Sequence, residues 1–123
     1  MGLYTSSYKN MLKRKKEEHD VYIQVSRNLG RYEEPGDSTG LINLIDEDWG
    51  EPLGNWWGNK IEYKQGIRKK DLRIFAKHLR ELQKDHDVFL LCFEDVLAGE
   101  DCHRRWLAEI LQKSFSLTIP EML

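Results

Sequence analysis

The stretch Val88-Phe89-Leu90-Leu91-Cys92-Phe93-Glu94, followed by Asp101-Cys102-His103-Arg104-Arg105, decides the fold. The six apolar residues from Val88 to Phe93, without Gly or Pro, are too few for a soluble helix but suit a strand buried on both faces. Glu94 ends the run. Further on, Trp106, Leu107, Ile110 and Leu111 recur at i, i+1, i+4 and i+5, an apolar stripe on one side of a helix beginning near Cys102. Asp101 is its natural N-cap, which makes Cys102, His103 and Arg104 the first helical residues. Backbone N–H groups there lack intrahelical partners and the helix dipole favours an anion, so a phosphate or carboxylate fits. Arg104 offers a charge-assisted partner, and the same dipole lowers the pKa of a thiol at Cys102. The residues also admit a purely structural use: Asp101 as a cap alone, Cys102 as a small buried hydrophobe, His103 packed on Trp106 and Leu107, and Arg104 and Arg105 solvated.

Working outward, Leu3 to Thr5 reads as a first strand, with Ser6 or Ser7 capping a helix that runs through Tyr8, Met11 and Leu12 to about His19. Val21 to Ser26 alternates apolar residues around Gln24 and forms a second strand ending at Arg27. In an open parallel sheet the strand-to-helix turns collect at the carboxyl edge, where ligands bind. Ser6, Arg27, Glu94, Cys102, His103 and Arg104 therefore converge there. Ser6 has an alternative use as a cap, and Arg27 as a surface ion pair.

From Asn28 to Gln65, Gly30, Pro35-Gly36-Asp37, Gly40, Gly50-Glu51-Pro52, Gly54 and Gly58 punctuate a long irregular connection. Long loops commonly cover ligands. Trp56 and Trp57 offer a stacking surface for a planar ligand such as a nucleobase, although tryptophans more often cover core. Asp71 then caps the best helix, with Leu72, Phe75, Leu79 and Leu82 spaced by threes and fours, which leads into the Val88 strand. His78 and His86 read as partly exposed. The tail is apolar at Phe115, Leu117, Ile119, Met122 and Leu123 and either packs back or meets a partner.

A strand ending Leu90-Leu91-Cys92-Phe93-Glu94 before a Cys102-His103-Arg104 helix start resembles the C-terminal signature of the domain-of-unknown-function 488 family. Leu3 to Tyr8 is similar to that family's first strand and turn, and Val25-Ser26-Arg27 to its strand ending near an arginine. The resemblance implies a small Rossmann-like α/β domain of bacterial or phage type, with no established reaction. The loop from Asp95 to Asp101 is longer than the family's usual spacing.

The 123 residues fit one domain, and 40% hydrophobic content suffices for one modest core. A net charge of -2 gives no global attraction to nucleic acid or anionic membrane. Charge is nonetheless clustered: Lys9, Lys13, Arg14, Lys15 and Lys16 form one basic group and Arg68, Lys69, Lys70, Arg73 and Lys77 another. Such runs are ordinarily solvated helix faces. With two cysteines, no signal peptide and no apolar run near the ~20 residues of a membrane span, the chain reads as cytoplasmic and reduced. A zinc site from Cys92, Cys102 and His103 lacks paired spacing and a fourth ligand, so neither metal nor cofactor is expected.

The expectation is an α/β, Rossmann-like domain with a mostly parallel sheet flanked by helices. It binds or processes a phosphate-bearing ligand, a nucleotide or nucleic-acid component. In an enzymatic form Arg27 and Arg104 hold the anion, Glu94 is acid or base, Cys102 is the nucleophile and His103 assists proton transfer. The alternative is a non-enzymatic regulator of phage or bacterial origin, which meets a protein partner through the tryptophan-rich loop, the apolar tail and the charged clusters.

Overall fold

A computed structural model describes residues 2–26, 45–54, 60–92 and 103–122. The elements run β1 (Leu3–Ser7), α1 (Tyr8–Lys13), β2 (Asp20–Gln24), β3 (Glu47–Asp48), α2 (Gly50–Gly54), α3 (Lys60–Gly66), α4 (Lys69–Gln83), β4 (Asp87–Cys92) and α5 (His103–Phe115). The four strands form one all-parallel sheet in the order β1-β4-β2-β3. The apolar run at Val88 thus lies inside the sheet, with every residue of β4 after Asp87 buried. Its two aliphatic faces are required because helices cover both sides.

Side chains alternate along each strand, and the core is divided accordingly. Leu3, Val21, Ile23, Val88, Leu90 and Cys92 point to the face covered by α3, α4 and α5, where Tyr63, Phe75, Leu79, Leu107 and Leu111 pack. Tyr22, Phe89 and Leu91 point to the other, where Tyr8 and Met11 of α1 cover them, with Tyr4, Leu12, Ile45 and Met122 at the margin. Topology explains the division. The chain crosses from β1 over β4 to β2 in one direction and returns from β3 over β2 to β4 in the other. Right-handed crossovers running in opposite directions must lie on opposite faces.

Several boundaries differ from the sequence expectation. α1 stops at Lys13 rather than near His19. Arg14 is already extended at φ -92°, ψ 136° and reaches Asp20, and it also lies 4.6 Å over the Phe89 ring. α4 begins at Lys69, not after an Asp71 cap. Arg68 is its N-cap without a side-chain cap bond, and Asp71 in the first turn accepts from Arg68 Nε at 2.7 Å. Within the connection expected to be irregular, the described residues form β3, α2 and α3. β3 is held by Asp46 N donating to the Tyr22 carbonyl and Trp49 N to that of Gln24, both at 2.9 Å. α2 starts against the end of β2. A Cβ on Gly50 would lie 1.8 Å from the Ser26 carbonyl oxygen, so only glycine allows this approach. The tail packs back. Leu117 and Ile119 are buried, and a parallel bridge from Thr5 to Glu121 lays the chain along the open side of β1. Among the described residues, no helix is long and apolar enough to cross a membrane.

Candidate functional site at the carboxyl edge

β1 and β4 are hydrogen-bonded neighbours, yet the helix after β1 lies on one face and the helix after β4 on the other. A crevice opens beyond the carboxyl ends of such a strand pair. In register, Ser6 stands opposite Leu91 and Ser7 opposite Cys92 at the carboxyl ends of the two strands, with Ser7 and Cys92 on one face of the sheet and Ser6 on the other. All three residues are buried.

Each has a definite local reason to be there. Ser7 is the N-cap of α1, its Oγ accepting from Asn10 N at 3.1 Å. Ser6 Oγ donates to the Met122 carbonyl at 2.9 Å, tying the tail to the sheet. Tyr8, fully buried, hydrogen-bonds through its hydroxyl to Ser26 Oγ beyond β2, and Gln24 Nε2 donates to the Ser26 carbonyl at 3.0 Å. Burial pushes the Tyr8 phenol far above its ordinary range, and the neighbouring Cys92 and Asp48 push the same way. Tyr8 is therefore a neutral hydroxyl at any physiological pH.

Arg104 departs most from expectation. It is fully buried in the first turn of α5, and its guanidinium grips Glu121 as a fork: Nε to Oε1 at 3.0 Å and Nη2 to Oε2 at 2.7 Å. Thr5 Oγ1 donates to the same carboxylate at 2.7 Å and accepts from Arg105 Nη1 at 2.7 Å, while Arg105 also donates to the Ile119 carbonyl at 2.9 Å. Arg105, for which the sequence offered a solvated position as the structural alternative, fastens the tail. The two arginines fix the start of α5, β1 and residues 119–121 to one another.

Of the other expected site residues, His103 opens α5. Arg27, Trp56, Trp57, Glu94 and Cys102 lie outside the described residues, as does Asp101. Of the basic clusters, Lys16 pairs with Asp46 at 2.5 Å and Arg68 with Asp71. Sequence reasoning missed Thr5, Tyr8 and Glu121 as members of this edge. Glu121 did carry a signal: it is the one charged side chain in the tail from Ser114, beside Ile119, Met122 and Leu123, and an acid there needs a cation.

Compared with protein-family models, curated proteins and solved structures, the chain matches none. The likeness to the domain-of-unknown-function 488 family rests on its short motifs alone.

Proposed function

We propose that the chain binds a phosphate-bearing ligand, a nucleotide or nucleic-acid component, at the carboxyl edge of the sheet between β1 and β4. The observation that carries this reading is the strand order, which makes β1 and β4 the neighbours whose helices part to opposite faces. A phosphate in that crevice meets the first-turn amides of the 13-residue α5. Arg27, which follows Ser26 in the chain, supplies the positive charge. Arg104, engaged by Glu121, serves as a positioning residue that fixes the helix start rather than as the anion clamp. Should turnover accompany binding, Cys102 is the nucleophile and Glu94 and His103 are the proton-transfer groups, so Cys102→Ala retains binding and loses turnover.

The test is a thermal-shift panel of nucleotides and short oligonucleotides on the parent chain and on Arg27→Ala. A ligand at 100 times its Kd adds about 2.7 kcal/mol of stability. The expected result is a stabilising shift that Arg27→Ala abolishes. If no compound gives a shift, or the variant responds as the parent does, the reading is wrong, and the chain is better regarded as a surface for a protein partner.

A further inference from the structure

At the opposite, amino edge of the sheet, Asp20 opens β2 and Asp87 opens β4, and the two are paired in register. Two carboxylates directly across adjacent strands repel unless something positive lies between them. His19 stands there: its Nε2 is 3.1 Å from Asp87 Oδ2 and 3.7 Å from Asp20 Oδ1, and one ligand atom from each of the three residues lies within 4.8 Å of the other two.

Both carboxylates are oriented from their far sides, and the His19 backbone is tied down beside them. Asp20 Oδ2 accepts from Arg14 Nη2 at 3.1 Å and from Glu17 N at 2.9 Å. Asp87 Oδ1 accepts from Gly2 N at 2.8 Å. The His19 carbonyl accepts from Asp87 N and from His86 Nδ1, both at 3.1 Å. One oxygen of each carboxylate is thus held by protein while the other faces the imidazole, the arrangement by which outer partners aim metal ligands.

The independent observation is Asp20 Oδ1. The side chain is completely buried, and this oxygen has no hydrogen-bond partner. A buried charged acceptor left without a partner is destabilising, because the desolvation of that oxygen goes uncompensated. A protonated His19 does not remedy this, because Nε2 carries a single hydrogen and Asp87 is the nearer acceptor.

We propose that His19 Nε2, Asp20 Oδ1 and Asp87 Oδ2 form a binding site for a first-row divalent cation, with Zn²⁺ as the best-matched probe. Ligands at about 2.0–2.2 Å from zinc stand a little over 3 Å apart in a tetrahedron, close to the 3.1 and 3.7 Å from His19 Nε2 to the two carboxylate oxygens. One imidazole and two carboxylates suit a borderline cation. His19 and Asp87 are 44% and 24% exposed in their side chains, which gives the ion an entry path and leaves a position for water. Arg14 cancels part of the carboxylate charge, which favours a divalent ion held by three ligands over a more highly charged one. The site is separate from the carboxyl edge and stands or falls independently of any ligand there.

The experiment is calorimetric titration of the full chain with Zn²⁺, with His19→Ala and Asp87→Asn as variants and His78→Ala as a control. Both changed ligands are partly exposed, and circular dichroism confirms that each variant is folded before titration. One site per chain is expected, weakened at least about tenfold by either ligand change and unaffected by the control. Cobalt substitution supplies a second reading: visible bands without thiolate charge transfer accord with nitrogen and oxygen ligands. Absence of binding, binding indifferent to both variants, or a sulfur charge-transfer band would overturn the proposal.

Discussion

At the scale of single residues, Arg104 shows what a helix-start motif leaves undetermined. Its position in the first turn of α5 followed from the stripe Trp106, Leu107, Ile110 and Leu111, of which Leu107 and Leu111 are buried. Its partner did not, because Glu121 lies 17 residues along the chain and reaches it only when the tail folds back on β1. A guanidinium with 1% of its side chain exposed requires a carboxylate, and no local pattern names which one. Removing one member of such a pair takes the fork away from a buried charge. Glu121→Ala is accordingly expected to cost about 3 kcal/mol in urea denaturation, and replacing both Arg104 and Glu121 by methionine considerably less. A Glu121→Ala loss under about 1 kcal/mol would mean that the fork contributes little to the tail's docking.

At the scale of elements, legibility follows the number of buried contacts per turn. α4 announces itself through Leu72, Phe75 and Leu79, all buried, although its true start at Lys69 is masked by the absence of a side-chain cap. α3 is nearly silent. Tyr63 alone is buried within it, Ile61 is 68% exposed, and Ile67 follows after its end. What fixes α3 is tertiary: Tyr63 hydrogen-bonds the Leu53 carbonyl at 2.8 Å and lies against Trp106, while Lys60 and Lys64 pair with Glu109 of α5 at 2.7 and 3.2 Å. Those two lysines hold the Glu109 carboxyl down at about 2. A folded-state pKa below the unfolded value contributes stability above about 4.5 that is lost as pH falls toward about 2. Glu109→Gln is expected to flatten the acid limb of the stability profile across that window and to leave the neutral plateau slightly lower, because pairs this exposed contribute little. An unchanged acid limb in denaturation midpoints measured from pH 5 to pH 2 would contradict the assignment.

At the scale of the whole molecule, the α/β class and the parallel sheet were readable because the strand at Val88 is apolar on both faces and the pattern alternates strand with helix. The strand order was not readable. β3 is two acidic residues, Glu47 and Asp48, with no apolar run to mark it, and only its backbone bonds to β2 reveal it. That order is what sets β1 beside β4 and gathers Ser6, Ser7 and Cys92 at one edge. The amino edge was invisible for a different reason: Asp87 meets the adjacent His19 and Asp20 only through the register of β2 and β4.

Ligand binding at the proposed carboxyl-edge site is read residue by residue in an amide-resolved NMR titration with the most stabilising nucleotide. Shifts are expected to concentrate at Ser6, Ser7, Cys92, His103 and Arg104, with Asp20, Val21, Asp87 and Val88 unmoved. Shifts centred on the amino edge, or on the groove lined by Lys69, Leu72, Arg73, Ser114 and Phe115, would contradict it.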